Sequence, residues 1–278
     1  MPRAYATGSE GLPKAIAPPP RGVPGRDAGY DSRVLALIER FRSARNDPSL
    51  AVLEGFHAIK HAIRFSAEFE SVATCDASKL QALAAQLAPD VALALSRLAA
   101  PVTSAVFDQL SPSPPETGII AIAKRRVTTL TELTSARSAA PMVLLESPSH
   151  SGNIGAVVRV AAGAGAAAVI TTGTNDPWNP GALRGSAGLH YALPVLHADR
   201  ADVTGRVLIA VDPGGDDLAP GMIPGNALLA FGSERSGLSA ELRAKAYARL
   251  RIPMQPGVSS LNLATAVAVA LYSWKLGQ

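Results

Sequence analysis

The chain has 278 residues, of which 47% are hydrophobic but only 5% aromatic, so two domains with cores rich in Ala, Val and Leu are expected. The formal net charge of +4 permits a polyanionic partner but does not identify one. The single cysteine, Cys75, excludes an internal disulfide and a multi-cysteine zinc site, and the absence of any apolar run of roughly eighteen residues argues against a membrane span.

Residues 1–32 form a proline-rich, partly basic stretch without hydrophobic periodicity, which includes the run Pro18-Pro19-Pro20. This composition predicts a disordered or loosely attached arm. Its basic residues could contact RNA phosphates, or the arm could be a solvated tail. Prolines also stand where a signal peptide would have its apolar segment, so a cytoplasmic protein is expected.

Residues 33–124 alternate between helical and strand patterns, which predicts a small α/β domain. His57 and His61 lie one helical turn apart, but no third metal ligand is evident and surface histidines are the favoured interpretation. A polar linker is expected at 125–140. The predicted elements are helices at 33–41, 55–65 and 78–98, the last broken at Pro89, and strands at 50–53, 69–74 and 118–123.

Residues 141–278 alternate more regularly and predict an α/β parallel sheet. The final helix, 263–276, is apolar on nearly every face, so it should be buried on all sides, which favours burial against a second subunit. Gly163-Ala164-Gly165 resembles a loose dinucleotide fingerprint, but it follows a helix and precedes a strand, so helix termination is favoured over a nicotinamide site. The other predicted elements are strands at 142–146, 167–172, 207–211, 228–231 and 250–252, and helices at 154–162 and 239–247.

Three stretches of this half concentrate polar residues in predicted loops and helix starts. Residues 250–262 combine a short strand, a loop with Pro256 and Gly257, and a Ser-Ser-Leu-Asn cluster that opens a helix. Such a loop can turn backbone N–H and C=O groups toward a flat heterocycle, or it can be an ordinary βα turn. With residues 153–159 and 231–238, this stretch resembles the three motifs of the SpoU (TrmH) family of RNA ribose methyltransferases, within the SPOUT superfamily.

The resemblance covers residues 142–276 and implies a SPOUT catalytic domain with a C-terminal trefoil knot. It also implies a homodimer, S-adenosylmethionine as the cofactor and a ribose 2′-hydroxyl as the methyl acceptor. Leu53-Glu54-Gly55 and Thr117-Gly118-Ile119 resemble the substrate-binding domain that many SpoU methyltransferases carry before the catalytic one. Residues 33–124 would then grip folded RNA, with a dimerisation or packing module as the alternative.

The resemblance also assigns roles to individual residues. Asn153, expected at a helix N-cap, and Arg159 match the first motif, in which the partner subunit supplies the activating arginine. Because arginine is normally protonated, holding a phosphate or lowering the pKa of the hydroxyl is easier for it than acting as a base. Glu234 resembles the acid of the second motif, and Ser260 and Asn262 match the third, where they would order the substrate hydroxyl.

Two further groups of residues follow from the same comparison of motifs. Positions with implied cofactor contacts are Gly232, Ile252 and Leu261 through the backbone, and Met254 as an apolar wall. Arg184 and Ser186 lie in a further family stretch and are expected near RNA. His150-Ser151 stands where many relatives have Asp-Pro, which leaves the approach loop and the choice of RNA open.

The predicted function is therefore S-adenosylmethionine-dependent 2′-O-methylation of a ribose in structured RNA. Ribosomal RNA is favoured over transfer RNA, because folded RNA is recognised largely by its shape. The alternatives are a transfer RNA methyltransferase, a methyltransferase that confers antibiotic resistance on ribosomal RNA, and a catalytically silent RNA-binding protein. The expected partners are RNA and a second copy of the chain, with neither DNA nor a membrane.

Overall fold

Two β-sheets organise the chain in the computed structural model, which describes residues 31–135, 138–199 and 205–278. The expected N-terminal arm therefore lies almost entirely outside the described residues. Within the described ranges, no helix combines the length and apolar character needed to cross a bilayer.

The first sheet has four strands and occupies the N-terminal part of the chain. Its elements in order are α1 (Ser32–Ala44), β1 (Leu50–Glu54), α2 (Phe56–Arg64), β2 (Phe69–Thr74), α3 (Ala77–Leu87), α4 (Ala92–Leu98), β3 (Ala100–Pro101), α5 (Ser104–Phe107) and β4 (Ile119–Lys124). Strand β4 pairs antiparallel with β1 and with β2, and β2 pairs in parallel with β3. The first five residues of β4 are fully buried, in keeping with its uninterrupted apolar sequence.

The helix predicted at 78–98 is divided as expected at Pro89. Helix α3 begins after Asp76, whose side chain accepts a hydrogen bond from the Lys79 amide at 2.8 Å. A 3-10 turn at Pro89–Val91 then separates it from α4. Proline has no amide hydrogen to donate and its ring clashes with the preceding helical turn, so a continuous helix through this position is disfavoured.

The second sheet has six strands, all paired in parallel, in the order β10-β8-β9-β5-β6-β7. Its elements are α6 (Leu130–Ser135), β5 (Met142–Leu145), α7 (Ser151–Ala164), β6 (Ala168–Thr171), α8 (Pro180–Gly185), β7 (Val195–His197), β8 (Val207–Asp217), β9 (Ala227–Phe231), α9 (Ala240–Lys245), β10 (Ala248–Arg251) and α10 (Leu263–Leu276). Strands β5, β6 and β9 are buried along their whole length. The predicted α/β parallel sheet is confirmed.

The order of the strands creates a switch point between β5 and β9. From β5 the chain moves outward through β6 and β7, then crosses to the other side of the sheet for β8, β9 and β10. Leu145 and Phe231 are register partners at the carboxyl ends of β5 and β9. The loops that follow these two strands therefore leave the sheet side by side, which is where open parallel sheets bind ligands.

The structure corrects three details of the sequence interpretation. The segment expected as a linker contains helix α6, which Thr129 caps by accepting from the Glu132 amide at 3.2 Å. Helix α7 has His150, not Asn153, at its N-cap, because the helix begins at Ser151, two residues before the motif. It also runs through Gly163 and ends at Gly165, whose φ of 78° suits glycine.

Helix α10 is only partly covered within a single chain. One face is buried and includes Val267 and Leu271, whereas Val269, Tyr272 and Leu276 on another face are 38%, 41% and 83% exposed. Burial of this exposed face against a second subunit, which the apolar sequence of the helix favours, stays a prediction.

The two sheets are joined through a buried carboxylate at the end of β1. Glu54 accepts hydrogen bonds from Arg45 at 2.8 Å, Ser111 at 2.7 Å and, across the joint, Arg184 in α8 at 2.7 Å. Burial alone would raise the pKa of Glu54, but these three donors outweigh it and hold the pKa below its usual value. The ionised carboxylate thus connects α1 and β1 to α8.

Candidate functional site

A cavity of about 500 Å³ opens at the carboxyl ends of β8, β9 and β10. Most of its wall is apolar, and a smaller part is polar. Apolar lining residues include Phe231, Leu238, Ile252, Met254, Leu261 and Leu263, and the polar ones are Asp212, Ser233, Glu234, Ser260 and Asn262. This mixture of apolar walls with a few convergent polar groups is typical of small-molecule sites.

A chain of hydrogen bonds runs from Glu234 through Asn153 to Asn262 and joins the three motifs. The Asn153 amide donates to Glu234 Oε1 at 2.6 Å, and Asn262 donates to Asn153 Oδ1 at 3.1 Å. Asn262 Oδ1 in turn caps α10 by accepting from the Ala264 amide at 2.9 Å. Because each amide has a donor and an acceptor partner, the orientation of both Asn side chains is determined.

Glu234 is ionised at neutral pH in this arrangement. Burial alone would raise the pKa of Glu234, but hydrogen bonds from Asn153 and from the Ser149 amide, the latter at 2.8 Å, hold the pKa below its usual value. Glu234 therefore connects the loop after β9 to the loop after β5 and fixes the start of α7.

The loop that follows β10 presents backbone groups to the cavity. Within the described ranges, the amides of Met254, Ser260 and Leu261 donate to no other group of the chain. Across the cavity, an added Cβ at Gly232 would lie 1.9 Å from the Gly237 carbonyl carbon, so only glycine allows the loop after β9 to close this tightly. The cavity thus combines free amide donors with a rigid opposite wall.

Arg159 does not line the cavity of its own subunit. It lies six residues beyond Asn153, about 9 Å further along α7 and on a different face of the helix. Its side chain is exposed and forms no hydrogen bond or ion pair with the described part of the chain. It lies near α2 instead. Burial is the main cause that lowers the pKa values of His57 and Lys60 on that helix, and the positive charge of Arg159 lowers them further.

The two residues expected near RNA occupy the joint between the sheets. Arg184 pairs with Glu54, although more than half of its side chain stays exposed. Ser186 is fully buried, and its hydroxyl lies 2.8 Å from His190 Nδ1 and 3.1 Å from the Gly188 amide, from which it accepts a hydrogen bond. The hydroxyl of Ser186 is therefore inaccessible in this conformation, and the expectation that this stretch lies near RNA stays a prediction.

Gly155 is required by the packing of α7 against α8. A Cβ at this position would lie 2.2 Å from the Ala182 carbonyl oxygen and 2.8 Å from the Gly185 Cα. Helices α7 and α8 are therefore in backbone contact, which is possible only without a side chain here.

Sequence reasoning missed several residues that line the cavity. Asp212 is the clearest omission, since the predicted strand at 207–211 stops just before it. The signal that could have identified it is the run Asp212-Pro213-Gly214-Gly215, a set of strand-breaking residues at the carboxyl end of a parallel strand.

Fold and site together define a parallel α/β domain with a ligand-sized cavity beside the switch point of its sheet. Residues 140–272 match the model of the SpoU rRNA Methylase family.

Comparisons with individual proteins extend this match. A 23S rRNA (uridine(2479)-2′-O)-methyltransferase of Streptomyces viridochromogenes is 34% identical over 144 residues, which cover 47% of this chain and 50% of that protein. The chain thus spans about half the length of the curated relatives that it matches.

Similarity to solved structures covers more of the chain. A crystal structure described as an RNA 2′-O ribose methyltransferase has a TM-score of 0.67 and 28% identity, and the match covers 88% of this chain and 95% of that one. The SpoU methyltransferase AviRb of S. viridochromogenes, solved with AdoMet, has a TM-score of 0.68 at 22% identity, with 88% and 97% covered. The chain has the SPOUT-type α/β fold with a parallel sheet.

Proposed function

We propose that this protein is an S-adenosylmethionine-dependent methyltransferase that acts on the 2′-hydroxyl of a ribose in structured RNA. The observation that carries the proposal is the convergence of three separate stretches at one cavity, joined by the hydrogen bonds from Glu234 through Asn153 to Asn262. A catalytically silent RNA-binding protein has no need for this polar chain beside a ligand-sized cavity.

The residues around the cavity fit an adenosine-containing cofactor. Its apolar walls suit a flat heterocycle, and the unpartnered amides of the loop after β10 can satisfy polar edges of such a ring. Ile252, Met254 and Leu261 on one side and Gly232 on the other would hold the cofactor. When bound, S-adenosylmethionine supplies a methyl group carried on a sulfonium, and the accepting hydroxyl must lose its proton.

The polar side chains at the cavity have different roles in binding and activating the accepting hydroxyl. Glu234 fixes Asn153, and Asn153 fixes Asn262, so that the groups around the accepting hydroxyl are ordered before RNA binds. Ser260 lies on the exposed rim of the cavity, where its hydroxyl can bind the substrate. Arg159 holds the adjacent phosphate or lowers the pKa of the hydroxyl, and arginine suits this role because its charge is permanent.

The active form is a homodimer in this proposal. Arg159 is too far along α7 to serve the cavity of its own subunit, and the exposed apolar side chains Val269, Tyr272 and Leu276 on α10 give a second subunit a surface to cover. Arg159 of one subunit then serves the cavity of the other.

The N-terminal sheet and its helices, residues 33–124, form the RNA-gripping domain in this proposal, and residues 141–278 form the catalytic domain. On the solvent-facing side of α2, Lys60 and Arg64 lie one helical turn apart, and the charge of Arg159 is close enough to affect Lys60, although Arg64 also pairs with Asp90. A basic strip of this kind suits a phosphate backbone. We also infer that the loop after β10 forms the C-terminal trefoil knot of the SPOUT fold.

Ribosomal RNA is the favoured substrate, with the cytoplasm as the site of action. The support is the 23S rRNA methyltransferase of S. viridochromogenes, which is related over the catalytic half, together with a separate domain that can recognise folded RNA by shape. Transfer RNA stays the alternative substrate.

Calorimetry with S-adenosylhomocysteine tests the cofactor assignment directly. We expect one binding site per chain in the wild-type protein and loss of most of the affinity in Gly232→Val, whose side chain cannot fit against Gly237. Gly152→Val, in the first turn of α7 and outside the cavity lining, is the matched control, because nothing lies within 4 Å of an added Cβ there. Absence of binding by the wild type would favour the silent RNA-binding protein.

A further inference from the structure

Asp212 is a buried carboxylate on the wall of the cavity. The proposed function gives it no role. Its side chain is 8% exposed. Oδ1 accepts hydrogen bonds from the Gly214 amide at 2.9 Å and from the Arg249 guanidinium. Arg243 lies 3.6 Å from Oδ2, which is beyond hydrogen-bond distance. Among the described residues, Oδ2 therefore has no hydrogen-bond partner.

The backbone around Asp212 is shaped to bring this side chain to the cavity. Ala210 of β8 pairs with Arg249 of β10, but the next pair joins Asp216 to Leu250, so residues 211–215 leave the ladder as a bulge. Gly215 makes the bulge possible, since an added Cβ would lie 2.4 Å from the Arg249 carbonyl carbon. Bulges commonly redirect a side chain toward a site.

The charges around Asp212 restrict what Oδ2 can bind. Burial alone would raise the pKa of Asp212, but Arg249, the Gly214 amide and Arg243 hold it below its usual value, so the carboxylate is ionised. Two guanidinium groups already face this single negative charge, and a further cation would be repelled. A neutral hydroxyl can donate to Oδ2 without adding charge.

The position of Asp212 complements that of the polar chain. Glu234 and Asn153 lie on the β5 side of β9, whereas Asp212 enters the cavity from β8 on the other side. A nucleoside ligand that fills the cavity can therefore meet a hydrogen-bond acceptor for its sugar at the β8 side.

We propose that Asp212 Oδ2 accepts a hydrogen bond from a ribose hydroxyl of the cofactor and thereby selects an unmodified ribose. This inference rests on the proposed function, because it assumes an adenosine-containing cofactor. Asp212 is then a specificity-determining residue of the cofactor site.

The test is calorimetric binding by Asp212→Asn, with Asp217→Asn as the matched control. Asp217 also lies on β8 and pairs with an arginine of β10, Arg251, but outside the cavity. The ligands are S-adenosylhomocysteine and its 2′-deoxy and 3′-deoxy analogues. We expect wild-type protein and the control to bind one deoxy analogue about tenfold to a hundredfold more weakly than S-adenosylhomocysteine. Asp212→Asn should bind S-adenosylhomocysteine more weakly than wild-type protein does, and with an affinity similar to that for the deoxy analogue.

Two further results decide against the inference. Equal affinity of wild-type protein for all three ligands overturns it without reference to any variant, so a folding defect in Asp212→Asn cannot hide a failure. If Asp212→Asn still binds the deoxy analogue more weakly than S-adenosylhomocysteine by the same factor as wild-type protein, the carboxylate only pairs with Arg249 and the inference is wrong. Failure of the proposed function is distinguishable, since wild-type protein would then bind none of the ligands.

5′-Methylthioadenosine separates the ribose from the amino-acid part of the cofactor. It keeps both hydroxyls but has no ammonium group, so the affinity loss caused by Asp212→Asn should persist with this ligand. If the loss disappears, Asp212 contacts the ammonium group and the assignment to ribose is wrong.

Discussion

At the scale of single residues, Glu234 tests the polar chain beside the cavity. Glu234→Gln keeps the size and shape of the side chain but removes its charge. The backbone N–H of Ser149 or the side chain of Asn153 then faces an NH2 group instead of a carboxylate oxygen. We expect kcat to fall about tenfold, because hydrogen bonds to charged groups are the stronger ones, with the dissociation constant for S-adenosylhomocysteine changed less than about threefold.

Glu241→Gln is the matched control for this change. Glu241 is an exposed glutamate that pairs with Lys245 on α9, away from the cavity. Single-turnover methylation assays with both variants measure the effect on the chemical step. Wild-type kcat in Glu234→Gln would contradict the positioning role of Glu234.

At the scale of elements, the backbone contact between α7 and α8 predicts a strong response to one methyl group. Gly155→Ala places a Cβ 2.2 Å from the Ala182 carbonyl oxygen, so the two helices must move apart. We expect a loss of about 2–3 kcal/mol of unfolding free energy, as for other overpacked sites.

Gly152→Ala provides the comparison in the first turn of the same helix. Nothing lies within 4 Å of a Cβ added there, and alanine favours helix, so its stability should be unchanged or increased by up to about 1 kcal/mol. Urea unfolding of both variants measures the difference. Equal stabilities would refute close packing of α7 on α8.

Elements were predictable from sequence where burial imposes a simple pattern. The strands β5, β6 and β9 are apolar throughout because both of their faces are covered, and these were found within two residues. The short elements α5, α8 and β7 were missed, because three to six residues carry too little periodicity.

The site was predictable only in part, for a related reason. Glu234, Ser260 and Asn262 were expected together because the family resemblance connects stretches that are distant along the chain. Asp212 belongs to no such stretch, and its place in the cavity depends on the register shift between β8 and β10. The burial of Ser186 depends on packing against His190, which no local pattern encodes.

At the scale of the whole molecule, His190 predicts how stability depends on pH. It is fully buried, its Nε2 donates to the Pro177 carbonyl at 2.7 Å, and its Nδ1 accepts from Ser186. Burial lowers the pKa of His190 from 6.5 to about 4, so the folded protein binds this proton less well than the unfolded chain.

The stabilising contribution of neutral His190 is therefore present above pH 6.5 and is lost as the pH falls toward 4. This residue should contribute a slope of up to about 1.4 kcal/mol per pH unit to the unfolding free energy in that window. Urea unfolding between pH 4.5 and 7 should show a smaller slope in His190→Gln than in the wild type. An identical slope would mean that His190 does not titrate as its burial requires.

The central claim concerns the whole molecule acting on RNA, and one measurement tests it most directly. Methyl groups on ribose 2′-oxygens and on bases are mapped across total RNA from cells with the gene, without it, and with Arg159→Ala in its place. The account predicts that one ribosomal nucleotide loses its methyl group without the gene, that the wild-type gene restores it, and that Arg159→Ala does not. An unchanged map, or a lost mark on a base nitrogen, would contradict the reaction, and a lost mark in transfer RNA would contradict the substrate.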